Sequence, residues 1–203
     1  MKLFFIFLIS YFIGAIPTGY IISKYIYHLD ITKYGSGNIG MTNVQRVLGN
    51  KPAFIVFIID CAEGAIPTLI ALYALKSIYL ATTAGVIATF AHDYSLFMKG
   101  FKGGKGAATS FGALLVISPL AALTSVVIFG GVIFITKYVS LGTIIAAVTY
   151  PFILLLIKQD FKLTLFCVIF SILIIVSHRE NIKRLIKGKE RKMGEKVKID
   201  ERH

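Results

Sequence analysis

The chain has no tryptophan, only two cysteines and only ten aspartate or glutamate residues among 203. Cys61 and Cys167 each sit inside an apolar run, so they give neither a disulfide framework nor a metal-ligand spacing, and they read as packing residues. The scarcity of acids leaves Asp60 and Glu63 as the one close carboxylate pair in an apolar run, and it withholds the paired acids of a hydrolase. No Ser-His-Asp order and no metal-ligand cluster stands out, so no metal is expected. What the chain has instead is apolar mass. Hydrophobic residues make up 56% and the mean hydropathy is +0.78, which belongs to a membrane protein rather than a soluble α/β domain. The net charge of +12 comes from short basic clusters between apolar runs, the pattern of loops beside an anionic leaflet and not of a nucleic-acid-binding face.

The apolar runs are residues 3–23, 53–75, 78–92, 106–136, 139–157 and 161–177. The first begins like a signal peptide but continues for about twenty residues without a small-residue cleavage pattern, so it is a retained span. The fourth is too long for one crossing: about thirty residues at 1.5 Å each reach ~45 Å against a hydrocarbon core of ~30 Å. A break near Ser118-Pro119 resolves this and gives seven spans with the N-terminus outside and the C-terminus cytoplasmic. Under that topology 18 basic residues lie inside and 4 outside, whereas an unbroken run gives 9 and 13, against the positive-inside rule. The expected fold is therefore all-α, a seven-helix integral membrane domain over 1–186 followed by a basic, charged tail over 187–203. The broken halves and the 78–92 run are short enough to be tilted or partly re-entrant.

This topology places three polar, glycine-rich segments on one face: GSGNIGMTNVQR (35–46), AHDYSLFMKGFKGGKGAATS (91–110) and HRENIKRLIKGKE (178–190). Gly35-x-Gly37-x-x-Gly40 matches a dinucleotide fingerprint only by accident, since no soluble βαβ unit surrounds it. Glycine lets backbone N–H groups approach an oxyanion, and Gly103-Gly104-Lys105-Gly106 leads into an apolar helix whose positive end adds to that attraction. It is not a Walker loop, because Gly106 follows Lys105 where that motif needs Ser or Thr. Taken singly, such glycines serve as turns and such lysines as orientation signals. Three clusters on one face, with Arg46, His92, Lys105 and His178 at the membrane boundary, point to a ligand carrying phosphate. Asp60 and Glu63, at i and i+3 on one helix face, are expected to be structural, Asp60 holding a loop cation. A transporter would need paired broken helices in an internal repeat, and none is seen.

Ser36-Gly37-Asn38-Ile39-Gly40 with Thr42, Asn43 and Arg46, then Phe101-Lys102-Gly103-Gly104-Lys105-Gly106 with Ala108-Thr109, then His178-Arg179-Glu180-Asn181-Ile182 with Arg184 and Gly188-x-Glu190, together resemble the PlsY family of bacterial acyl-phosphate:glycerol-3-phosphate acyltransferases. Gly14-Ala15-Ile16-Pro17-Thr18-Gly19 fits as well, and the likeness covers nearly the whole chain in order. It implies a multi-pass inner-membrane enzyme whose motifs face the cytoplasm. The implied reaction moves a fatty acyl group from acyl-phosphate to the 1-hydroxyl of sn-glycerol 3-phosphate, giving 1-acylglycerol 3-phosphate and phosphate for phospholipid synthesis, with no cofactor. Carried over by position, Ser36, Arg46, Lys105, His178 and Asn181 would bind glycerol 3-phosphate. Asn38, Gly40 and Thr42, with the backbone of Gly103, Gly104 and Gly106, would hold acyl-phosphate. His92, His178, Asn181 and Lys105 are the candidates nearest the chemistry, the proton going to His178, to His92 or to a substrate phosphate. The chain departs from the family pattern at Glu63, Ser95 and Met41, where Lys, Pro and Ala are usual.

Overall fold

Proline sets two of the breaks in this chain. The computed structural model describes residues 1–197, and the end of the expected basic tail, 198–203, lies outside the described residues. In chain order, α1 (Lys2–Gly14) stops short of Pro17, and α2 (Thr18–Ile21) resumes after it and runs on as a π-turn through Ile22–Ile26. There follow α3 (Met41–Leu48), α4 (Asn50–Leu75), α5 (Ile78–Asp93), α6 (Ala107–Ile117), α7 (Pro119–Thr136), α8 (Val139–Leu156), α9 (Phe161–Ser177) and α10 (Arg179–Ile186). Proline offers no N–H and pushes the residue before it out of the helical region. Ser118 is accordingly extended (φ −150°, ψ 91°) and Pro119 opens α7, so the long fourth run is divided where its length required. Pro17 adds a break inside the first run, which its continuous hydropathy does not signal.

All regular structure among the described residues is helical. Four segments, Lys2–Ile26, Asn50–Leu75, Pro119–Thr136 and Val139–Leu156, are long and apolar enough to cross a bilayer, and α9 with α10 makes a fifth if their 59° bend is counted as one span. At 11 residues α6 rises about 16 Å, roughly half the hydrocarbon thickness. Large apolar side chains such as Phe4, Phe54, Tyr73, Phe134 and Phe152 point outward, as a lipid-facing surface requires.

Inside the bundle the helices meet through small residues. A Cβ on Gly64 of α4 would run into the carbonyl of Thr109 on α6, and one on Gly112 of α6 would run into the carbonyl of Cys61 on α4. Glycine at both points lets the two backbones touch, the usual means of tight association where lipid supplies no hydrophobic drive. A core of Leu114, Tyr150, Leu154 and Phe170 joins α6, α8 and α9. A second core of Ile31, Ile39, Val44 and Val56 seats the polar loop and α3 on α4. Residues 187–197, expected as a solvated tail, run back over this end: Met193 N–H donates to the carbonyl of Lys137 (2.7 Å) and Val197 N–H to that of Arg46 (3.1 Å).

Candidate active site

The loop ahead of α3 is folded around one side chain, Asn43. Its Oδ1 accepts from the N–H of Ser36 (2.8 Å), and its Nδ2 donates to the carbonyls of Tyr34 (3.1 Å) and Asn38 (2.8 Å). Gly35 (φ +63°) and Gly37 (φ +71°) take the left-handed backbone that this tight path demands. Asn38 makes its own turn by accepting from Gly40 N–H (2.9 Å), and its Nδ2 reaches the carbonyl of Gly103 (3.3 Å), joining the first motif to the second.

The second motif differs from the expected cradle in which amides it offers. Gly103 N–H donates to the carbonyl of Asp93 (3.0 Å) and Gly104 N–H to that of His92 (2.9 Å), so both donors are spent on the end of α5. These two bonds turn the loop back from α5 towards α6. Free donors lie one step on. Gly106 is the N-cap of α6 in a left-handed conformation (φ 62°) without side-chain capping, and the first-turn N–H groups of a helix have no partner inside it. Ala107 and Ala108 lie on the wall of the cavity described below.

From the third motif, His178 donates Nδ1–H to the carbonyl of Ile174 (2.8 Å), leaving Nε2 with its lone pair. Burial, then the nearby Lys105 ammonium, pull His178 down to about 4, so the ring is neutral at neutral pH. Lys105 donates to Oδ1 of Asn181. Burial and the Arg184 guanidinium pull that lysine down to about 8. Asn181 in turn donates Nδ2 to Glu190 (2.6 Å), which also accepts from Ser140 Oγ (2.8 Å) and Arg184 Nε (2.7 Å). Burial alone would raise the Glu190 carboxyl; these donors, with Asn181 first, outweigh it and hold the group below its ordinary value. Arg46 is lowered from its ordinary value by burial and by Arg191, whose carbonyl its guanidinium reaches at 3.4 Å.

These segments enclose one cavity of about 510 Å³. Its polar end holds Ser36, Asn38, Gly40, Thr42, Arg46, His92, Lys105, Gly106, His178 and Asn181. Gly103 and Gly104 stand behind that wall and not on it. Its other end is apolar, walled by Phe57, Phe111, Leu114, Val126, Phe129 and Tyr150 from four bundle helices. Asn43, Ser140, Arg184 and Glu190 also line it. Asn43, Arg184 and Glu190 stand in the motifs quoted above, where residue type alone assigns them no role, while Ser140 carries no motif signal at all.

Below the cradle, Asp60 and Glu63 of α4 meet His92 of α5. Nδ1–H of His92 donates to Oε2 of Glu63 (2.9 Å), and Thr18 Oγ1 donates to Oε1 of the same carboxylate (2.5 Å). The loop cation expected for Asp60 is not found: among the described residues no lysine or arginine forms an ion pair with Asp60 or Glu63. Both carboxylates are buried where α4 packs on α5.

A family model described as "Glycerol-3-phosphate acyltransferase" matches residues 4–188. The chain belongs to that family. Glycerol-3-phosphate acyltransferase from Thermoanaerobacter sp. (strain X514) is 43% identical over 192 residues, covering 95% of this chain and 96% of the relative. The enzyme of the same name from Staphylococcus haemolyticus is 42% identical over 194 residues, covering 92% and 95%. Among solved structures, crystal forms of PlsY, an integral membrane glycerol 3-phosphate acyltransferase, superpose on 96% of this chain at 36% identity. Its glycerol 3-phosphate form gives a TM-score of 0.90 with 96% of that chain covered, and its lysophosphatidic acid form gives 0.88 with 97%. This member of the glycerol-3-phosphate acyltransferase family is thus an acyltransferase and a multi-pass integral membrane protein.

Proposed function

We propose that this family member, with glycerol 3-phosphate as acceptor, takes its acyl group from acyl-phosphate and releases 1-acylglycerol 3-phosphate and inorganic phosphate. The observation that carries the reading is the cavity: a cationic, amide-rich end continues without interruption into an apolar end between bundle helices. Such a shape suits two phosphate-bearing substrates of which one also carries a fatty chain. Arg46, Lys105, Ser36, His178 and Asn181 take the acceptor's phosphate and hydroxyls. Asn38, Gly40, Thr42 and the open amides at the start of α6 take the donor's phosphate, where the helix end favours negative charge. Gly103 and Gly104 act by shaping the turn behind that amide row.

In the step itself the 1-hydroxyl oxygen bonds to the acyl carbon, the bond from that carbon to the phosphate oxygen breaks, and phosphate leaves with the electron pair. Phosphate is a good leaving group, so positioning and stabilisation of the developing oxyanion supply the catalysis. A neutral His178 with a free Nε2 is suited to accept a hydrogen bond from a substrate hydroxyl. A group held at about 4 is a weak base at neutral pH, which favours His92 or a substrate phosphate as proton acceptor.

We further read the fold as seven spans in a bacterial inner membrane, N-terminus outside, with the site on the cytoplasmic face, 1–186 as the membrane domain and 187–203 as a basic, charged cytoplasmic tail. The charge division of 18 to 4 supports this. Acyl transfer by the purified protein, compared among acyl-phosphate, acyl-CoA and acyl carrier protein, tests the donor. A preference for either of the last two would overturn it. Reporters fused after His203 and within 158–162 test the topology, the first expected cytoplasmic and the second outside.

A further inference from the structure

The contact between α4 and α5 holds a group of side chains of which acyl transfer, as proposed above, calls on His92 alone, leaving both carboxylates without a part in it. Asp60, Glu63 and His92 are 3%, 3% and 4% exposed, and one donor atom from each lies within 4.8 Å of the others. Glu63 is fully engaged, by Thr18 on one oxygen and His92 on the other. Asp60 is not: its Oδ1 is buried and has no hydrogen-bond partner among the described residues. A buried carboxylate without a donor is strongly unfavourable, and a second carboxylate one helical turn away makes it more so. A proton shared between Glu63 and His92 does nothing for that oxygen. A cation placed among the three groups would.

The spacing suits an ion. Ligand atoms about 2.1 Å from a metal stand ~3.0 Å apart when adjacent and ~4.2 Å apart when opposite. Here the Glu63 and His92 atoms are 2.9 Å apart, close to the adjacent separation, and the whole set lies within 4.8 Å, so it has to contract by no more than about 0.6 Å to close on an ion. One imidazole nitrogen with two carboxylates is a borderline donor set, fitting zinc or manganese better than the all-oxygen preference of magnesium or calcium. Asp60 and His92 also line the cavity, so a further coordination position would open onto it. We propose that Asp60, Glu63 and His92 bind one divalent transition-metal ion in the wall of the cavity, the ion replacing the proton between Glu63 and His92. Its binding needs neither substrate, so it stands or falls apart from the choice of acyl donor.

The test uses the full chain in detergent, stripped with chelator, freed of it, and then titrated with Mn²⁺ read by electron paramagnetic resonance, with Zn²⁺ as competitor. One equivalent of Mn²⁺ is expected, displaced by Zn²⁺, with nitrogen hyperfine coupling from His92. Asp60→Asn and Glu63→Gln keep shape and volume, and each is expected to weaken binding about tenfold or more, while Glu195→Gln in the distal segment leaves it unchanged. Bound metal should also raise the thermal midpoint of the unmodified protein but not of the two variants. Failure to reach one equivalent, equal binding by Asp60→Asn and Glu63→Gln, or a bound Mn²⁺ without nitrogen coupling would each overturn the proposal. The last readout needs no variant, so it decides the matter even if a substitution prevents insertion.

Discussion

Lys105 donates to the side-chain oxygen of Asn181, across 76 residues of sequence, and Asn181 is itself fixed by Glu190. The amide is a spacer that points a cation into the cavity. Asn181→Ala leaves the ammonium without that support and Glu190 short of a donor. Losing a hydrogen bond to a charged group costs about 1.5–3 kcal/mol, so kcat/KM for glycerol 3-phosphate is expected to fall about ten- to a hundredfold. Steady-state kinetics on correctly inserted protein give the answer; an unchanged kcat/KM would show the pair to be incidental.

Because Lys105 is held at about 8 by burial and Arg184, its charge disappears within reach of an ordinary assay. Below that pH the ammonium is present; above it the cation is lost and its hydrogen bond to Asn181 is no longer charge-assisted. Since kcat/KM reports the free enzyme, it should decline as pH rises through about 8. His178, held at about 4, stays neutral throughout and adds no inflection there. Lys105→Arg keeps its charge across this range and should move the decline to higher pH, whatever it does to the absolute rate. A profile that stays level well past pH 8 in the parent enzyme would show that the charge is not needed.

Gly104→Ala tests a contact rather than a conformation. Gly104 has no left-handed backbone; instead, an added Cβ would press on Nε2, Cδ2 and Cε1 of the His92 ring. The ring is buried and tied to Glu63, so it cannot swing clear without breaking that bond. Turnover is expected to drop about tenfold or more, with insertion preserved, in line with a misplaced polar group in a tight site. Normal turnover in protein of verified insertion would show that the position of His92 is immaterial.

Gly64→Ala addresses the scaffold. Its methyl would collide with backbone at Thr109 and Ala113, which no rotamer change relieves. Overpacking of this kind costs about 1–3 kcal/mol or more, and it should lower the thermal midpoint in detergent with kcat per folded molecule little altered. Gly130→Ala, where a Cβ meets nothing, is the matched control.

The types of residue that gather at the cavity were legible in the sequence because glycine, lysine, arginine and histidine are conspicuous between apolar runs, and the division of the fourth run was legible because a run too long for one crossing had to end at Pro119. Ten of the twelve residues singled out line one cavity. Partnerships were not legible. Nothing in the string Gly103-Gly104 says that both amides turn back to α5, since glycine advertises an available backbone whether or not that backbone is already engaged. Asn43 looks like any other polar residue of its loop until three backbone groups are seen to converge on it. The i, i+3 spacing put Asp60 beside Glu63, yet the arrival of His92 depends on how α4 meets α5, a matter of packing and not of periodicity. The pause at Pro17 was hidden because an apolar run reads the same through a short break.

Glu190 follows every apolar helix in the chain, whereas Ser36 to Arg46 emerge after only the first. A nascent polypeptide therefore threads nearly all its helices into the bilayer before Ser140, Asn181 and Arg184 acquire their common acceptor. A chain stalled on the ribosome, or clipped before residue 190, has the glycine loops but lacks the latch that organises the cationic end. The cationic end of the cavity is thus completed only by the final stretch of translation.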